Sequence, residues 1–131
     1  MKGLDTNVLV RYLTQDDPAQ SRKANAVIAE AVEHGEPSTI NAIVLCELTW
    51  VLRDAYGFDK ATIVTTLQRL LDTAQLVVEH ADVMRKALDD YSRGPGDFAD
   101  YVIGWQNRES GCTETVTFDR ALRRSRLFRV L

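Results

Sequence analysis

The sequence contains few of the residues that mark several common protein classes. Its 131 residues include two cysteines, two histidines, three prolines and seven glycines. Cys46 and Cys112 lack the spacing of a zinc motif, and two cysteines cannot form the disulfide framework of a small secreted domain. We therefore expect both cysteines to be reduced packing residues of a cytoplasmic protein.

Long hydrophobic runs are also missing. No stretch approaches the roughly 20 apolar residues needed to cross a membrane, and Lys2 is followed by Asp5 rather than by the apolar core of a signal peptide. We expect no membrane association and no secretory signal.

Several familiar catalytic motifs are absent too. His34 and His80 fall near the ends of predicted elements and have no paired Ser or Cys motif. The stretch RGPGD lacks the length and the lysine of a phosphate-binding loop. The opening LDTN is similar to the start of aspartyl-phosphate phosphatases, but those have a second aspartate where this chain has Asn7. These absences exclude the mechanisms that depend on those motifs.

The pattern that is present indicates an α/β protein. Hydrophobic residues make up 45% and charged residues 27% of the chain, as in an ordinary globular domain. The length predicts one domain over residues 1–131. Short strand-like segments alternate with helical ones, which predicts a mainly parallel sheet covered on its faces by helices.

Glu47 is the most informative acidic residue. Helical spacing within AIVLCELTWVL places it on one stripe with Ile43, Val44, Trp50 and Val51. A buried carboxylate is costly unless it is paired or bound to a cation, and no Lys or Arg occurs between Lys23 and Arg53. This pattern favours a functional acid over a merely polar position on the helix.

Four aspartates have two interpretations each. Asp97 and Asp100 share one helix face, where they either cap the helix or bind a cation. Asp5 and Asp119 each follow a predicted strand, where they either form a turn or cap, or contribute to a site at the strand ends.

The five acids together suggest a metal site. Parallel strands bring their carboxyl ends to one edge of a sheet, so the acids could converge there. Two carboxylates about 4 Å apart repel by roughly 4 kcal/mol, and a divalent cation would relieve that repulsion. All-oxygen ligands favour Mg²⁺ or Mn²⁺ over zinc.

Positive charge is concentrated at the end of a chain whose net charge is −3. The last twelve residues, RALRRSRLFRVL, contain five arginines and no acid. They form either a solvated surface or a contact for phosphate or a protein partner.

Four segments, LDTNVLVRYL, CELTWVL, DFADYVIGWQNRESGC and TVTFD, resemble in order and spacing the PIN-domain family, and within it the VapC-type toxins of bacterial toxin–antitoxin pairs. The resemblance implies a Rossmann-like three-layer α/β/α sandwich and an Mg²⁺- or Mn²⁺-dependent endoribonuclease. It also implies a homodimer that a VapB-type antitoxin neutralises.

The resemblance also assigns roles to individual residues. It implies that the acids are catalytic and hold the metal, with either Asp97 or Asp100 as the direct ligand at that point. It implies supporting roles for Thr6 and Asn7, which would orient Asp5, and for Thr117, which would line the site. Contact with RNA or antitoxin is expected for Arg120, Arg123 and Arg124. The metal-holding acids are Asp5, Glu47, Asp97, Asp100 and Asp119. One departure is Gly104, where the family more often has alanine.

Two other functions remain open at this point. The chain could be a housekeeping PIN nuclease of RNA processing that has no antitoxin. It could also be a PIN-like module that binds RNA or protein without cutting, although an anionic pocket without metal is poorly suited to bind phosphate.

Overall fold

The computed structural model describes residues 1–131, which divide into two compact units, residues 1–79 and 80–131. Strands and helices alternate along the chain, as the sequence predicts. No helix in the structure is long and apolar enough to cross a membrane.

The first unit contains three parallel strands and four helices. The strands pair in the order β1-β2-β3, with Lys2 opposite Ser38 and Ser38 opposite Leu76. The elements are β1 (Lys2–Gly3), α1 (Thr6–Thr14), α2 (Pro18–Glu33), β2 (Ser38–Ile40), α3 (Ala42–Asp54), α4 (Lys60–Asp72) and β3 (Leu76–Val78).

Local sequence signals explain where these helices begin and end. Asp17, Asn41 and Asp59 each accept a hydrogen bond from the backbone N–H three residues further on, which caps α2, α3 and α4. Gly35 follows α2 with a φ of 64°, a conformation that glycine adopts without strain. The apolar faces of the helices then pack into one core, which includes Leu9, Ile40, Leu45, Leu48, Leu52, Ile63 and Leu67.

The second unit contains two longer helices and a small parallel sheet. Its elements are α5 (Ala81–Arg93), α6 (Phe98–Glu109), β4 (Thr115–Thr117), a short 3-10 helix (Arg120–Leu122) and β5 (Phe128–Val130). Helix α5 packs against α6, and β4 pairs with β5 in parallel. Its core includes Met84, Leu88, Phe98, Val102 and Leu122.

The parallel pairing of the strands confirms the predicted fold class, but the strands form two sheets, one in each unit. The prediction of a single domain over 1–131 stays a prediction. The prediction that both cysteines are packing residues is right for Cys46, whose burial raises the pKa of its thiol to about 11, and wrong for Cys112, which is exposed.

Gly104 lies where α6 approaches the end of the chain. A methyl group at this position would lie 3.0 Å from side-chain atoms of both Leu127 and Phe128. The departure from alanine therefore reflects close packing between α6 and the start of β5.

Candidate active site

In the first unit, Thr6 connects two of the predicted acids. Its backbone N–H donates to Oδ1 of Asp5 at 2.8 Å, and its hydroxyl donates to Oε1 of Glu47 at 3.1 Å. Thr6 itself is buried at 7% exposure, so its position is fixed by packing. Thr6, at the start of α1, thus orients both Asp5, which immediately precedes the helix, and Glu47 on α3.

The prediction that Glu47 is buried was wrong, although its contact with Thr6 supports a site role. Glu47 is exposed, and so are Ile43 (71%) and Trp50 (40%) on the same face of α3. Of the four apolar residues on the predicted stripe, Val44 is buried and Val51 is half-buried, whereas Ile43 and Trp50 lie at the surface, so the stripe is not a buried face. Glu47 therefore needs no buried partner, and it is accessible to a ligand.

Asp5 differs from the ordinary helix caps in the same unit. Asp17 and Asp59 accept from the amide three residues on, whereas the Asp5 carboxylate accepts from the adjacent amide of Thr6. Asp5 is also exposed. A cap role is therefore present but incomplete, and the second carboxylate oxygen is available for other chemistry. Asn7 is exposed and makes no side-chain hydrogen bond with Asp5.

In the second unit, Asp97 and Asp100 form a capping box at the start of α6. The backbone N–H of Asp97 donates to Oδ2 of Asp100 at 2.9 Å. Partial burial raises the pKa of Asp100, and the negative charges of Asp97 and Asp119 raise it further, against the opposing effect of that hydrogen bond. Within this unit three predicted acids therefore act on one another electrostatically.

Asp119 caps the short 3-10 helix and is held from the strand that precedes it. Its carboxylate accepts from the N–H of Ala121 at 2.9 Å, and its own N–H donates to the hydroxyl of Thr117 at 3.0 Å. Thr117 thus contacts Asp119, and its predicted role in lining the site stays a prediction. Both readings of Asp119, cap and site residue, are compatible with this geometry.

The donors fit a hard divalent cation by their chemistry. All are carboxylate oxygens, and the mutual repulsion that raises the pKa of Asp100 is the kind that a cation relieves. No group of three or more His, Cys, Asp or Glu side chains in the structure is arranged to hold a metal ion. The assignment of all five acids to one metal site stays a prediction.

Sequence reasoning missed a basic cavity in the second unit. It has a volume of about 760 Å³, and its charged wall combines Arg108 on α6 with arginines of the final segment. The sequence pattern indicates only the terminal arginines; the aromatic residues of α6, Tyr101 and Trp105, are a further signal, because they line the same cavity.

The fold and these acids define the class of the protein. The PIN domain model matches residues 3–126, so the chain belongs to the PIN domain family. Among curated proteins it is similar to a VapC ribonuclease of Aquifex aeolicus (strain VF5), with 26% identity over 124 residues. That similarity covers 95% of this chain and 91% of the relative. No solved structure gave a significant match.

Proposed function

We propose that this protein is an Mg²⁺- or Mn²⁺-dependent endoribonuclease and the toxin of a VapBC-type toxin–antitoxin pair. Its membership of the PIN family and its similarity to a VapC ribonuclease support the reaction class. The observation that carries the proposal is the hydrogen-bonded set Asp5–Thr6–Glu47. Thr6 contacts the carboxylate of its neighbour Asp5 and also that of Glu47, which lies 41 positions further along the chain.

The proposed metal ligands are Asp5, Glu47, Asp100 and Asp119, with Asp97 as the alternative to Asp100. When bound, Mg²⁺ or Mn²⁺ would supply an activated water and neutralise charge on the scissile phosphate. The ion would also compensate the repulsion among the carboxylates.

The protein's own residues have defined tasks in this reaction. Thr6 holds Asp5 and Glu47 in fixed orientations, and Thr117 does the same for the backbone at Asp119. Asp100 must be ionised to bind a cation. Because the pKa of Asp100 is raised, acid should weaken metal binding at a higher pH than it would for an ordinary aspartate.

The two acids of the capping box differ in their surroundings. Asp100 is half-buried and accepts the backbone N–H of Asp97, whereas Asp97 is exposed. We therefore expect Asp100→Asn to reduce RNA cleavage more than Asp97→Asn does. The reverse order would exchange their roles.

The proposal includes partners as well as a substrate. RNA is the substrate, a VapB-type antitoxin is the inhibitor, and the protein forms a homodimer and acts in the cytoplasm, where the RNA of translation is found. The large apolar side chains of Ile43 and Trp50 are exposed on one face of α3, which supports a protein interface there.

Purified protein tests the reaction directly. We expect cleavage of single-stranded RNA, but not of DNA of the same sequence, in Mg²⁺ or Mn²⁺, and no cleavage in EDTA. The protein encoded by a short neighbouring reading frame should inhibit the activity. RNA cleavage without any such neighbour would favour the housekeeping nuclease, and RNA binding without cleavage would favour the non-cleaving module.

A further inference from the structure

The basic cavity of the second unit is lined by side chains that converge from three parts of the chain. Arg93 comes from the end of α5, Arg108 from α6, and the remaining arginines from the segment after the 3-10 helix. These last are Arg123, Arg124 and Arg126. A cavity of about 760 Å³ is large enough for a phosphate group with part of the nucleotide that carries it.

Most of this positive charge is not neutralised. Arg93 is paired with Asp89 and lies 3.6 Å from Asp90. The other cavity arginines form no ion pair with a carboxylate; Arg108 and Arg123 each donate to a backbone carbonyl, at 3.1 and 2.9 Å. Since a guanidinium has five N–H donors, most of their donors remain available to a ligand.

The one acid in the cavity wall is already engaged. Asp90 accepts a hydrogen bond from the indole N–H of Trp105 at 2.7 Å and faces Arg93. Lys86 lies over the Trp105 ring, 5.0 Å from its centroid. The cavity therefore presents arginines without carboxylate partners. Asp90 and Lys86 hold the Trp105 side chain in place in its wall.

The cavity borders the acids of the second unit. Tyr101, in its wall, directly follows Asp100 on α6, and its hydroxyl accepts the backbone N–H of Gly96, the residue before Asp97. Ala121, also in the wall, donates its N–H to Asp119. A ligand in the cavity would thus lie beside these carboxylates.

We infer that this cavity binds a backbone phosphate of RNA and so positions the strand beside Asp100 and Asp119, an inference that rests on the proposed ribonuclease function. A protein of net charge −3 with an acidic site must overcome repulsion to bind a polyanion, and four arginines without carboxylate partners provide that attraction next to the acids. Arginine suits the task because its planar fork donates two parallel hydrogen bonds to phosphate.

RNA binding measured in EDTA tests the inference without cleavage. The test variant is Arg124→Ala with Arg126→Ala, and the control is Arg22→Ala with Arg69→Ala, which removes the same charge from exposed positions outside the cavity. The probe is a short unstructured RNA with a fluorescent end, titrated over a range of salt concentrations. We expect the test variant to reduce the slope of log affinity against log salt by about 0.7, because one phosphate contact on a single strand contributes about that much.

The outcomes separate this inference from the proposed function. A test variant whose slope equals that of the wild type or of the control overturns the cavity assignment, and so does a wild type that binds no RNA. Weakened binding of an acidic polyglutamate peptide with an unchanged RNA slope also overturns it, in favour of a protein partner. The variant Arg124→Lys with Arg126→Lys should restore the wild-type salt slope of RNA binding, which excludes misfolding as the cause of the loss. Cleavage in Mg²⁺ by the wild type is scored separately, so either idea can fail alone.

Discussion

Replacing Thr6 by valine tests whether one hydroxyl organises the acids of the first unit. Valine has the shape of threonine and therefore fits the buried position, but it cannot donate the 3.1 Å hydrogen bond to Glu47. A hydrogen bond contributes about 1 kcal/mol net, and because Glu47 is exposed, water replaces part of it. We expect the melting temperature to fall by about 4 °C for a chain of this length.

The effect on metal use should be larger than the effect on folding. Residues that orient metal ligands typically contribute ten- to hundredfold to metal affinity or activity, so we expect the Mn²⁺ concentration for half-maximal RNA cleavage to rise about tenfold. Thr6→Ser is the matched control, because it retains both the N–H and the hydroxyl. If the valine and serine variants melt and respond to Mn²⁺ alike, the hydroxyl of Thr6 does not organise the site.

Three further perturbations test the electrostatics and packing on which the site depends. Asp100→Asn keeps the acceptor for the Asp97 amide and removes a carboxylate whose pKa is raised. In EDTA this variant should melt at a higher temperature than the wild type at pH 7, and the difference should vanish as the pH falls below the pKa of Asp100. An equal difference in melting temperature at pH 3 would show that the charge of Asp100 is not the cause. Gly94→Ala would place a methyl group 2.1 Å from the Tyr101 hydroxyl; it should cost about 1–3 kcal/mol of stability in urea unfolding, and a neutral result would refute the packing. Hydrogen bonds from Tyr56 and Thr14 lower the pKa of Asp16 to about 2. The stability that these bonds provide is present above the pKa of Asp16 in the unfolded chain and is lost as the pH falls towards 2. Asp16→Asn should therefore lower the melting temperature at pH 7, and lower it progressively less below pH 4.

The sequence was sufficient to predict the alternation of strands and helices, because the signals for it are local. Asp59 at the start of α4 and Gly35 after α2 act through their own backbone neighbours. The parallel pairing follows from that alternation. Packing between distant segments was not predictable: nothing local shows that Gly104 lies against Leu127, or that Glu47 is exposed beside Ile43.

The candidate site shows the same limit in its details. Sequence position suggested that Thr6 accompanies Asp5, but only the structure shows the second hydrogen bond to Glu47, because that contact depends on how α3 packs against α1. The cavity arginines are likewise separated in sequence, with Arg108 on α6 and Arg124 beyond the 3-10 helix. Residues that meet through packing leave no spacing pattern in the chain.

Amide substitutions of the acids test most directly whether their role is metal-dependent cleavage or helix capping. Asparagine caps helices about as well as aspartate, so an amide substitution preserves the cap and removes the charge that a metal requires. The measurement compares Asp5→Asn and Glu47→Gln with Asp59→Asn, a cap of α4 outside the proposed site. We expect all three variants to fold, Asp59→Asn to cleave RNA in Mg²⁺ like the wild type, and Asp5→Asn and Glu47→Gln to lose cleavage. Wild-type cleavage by the Asp5 and Glu47 variants would refute a metal-binding role for these two carboxylates.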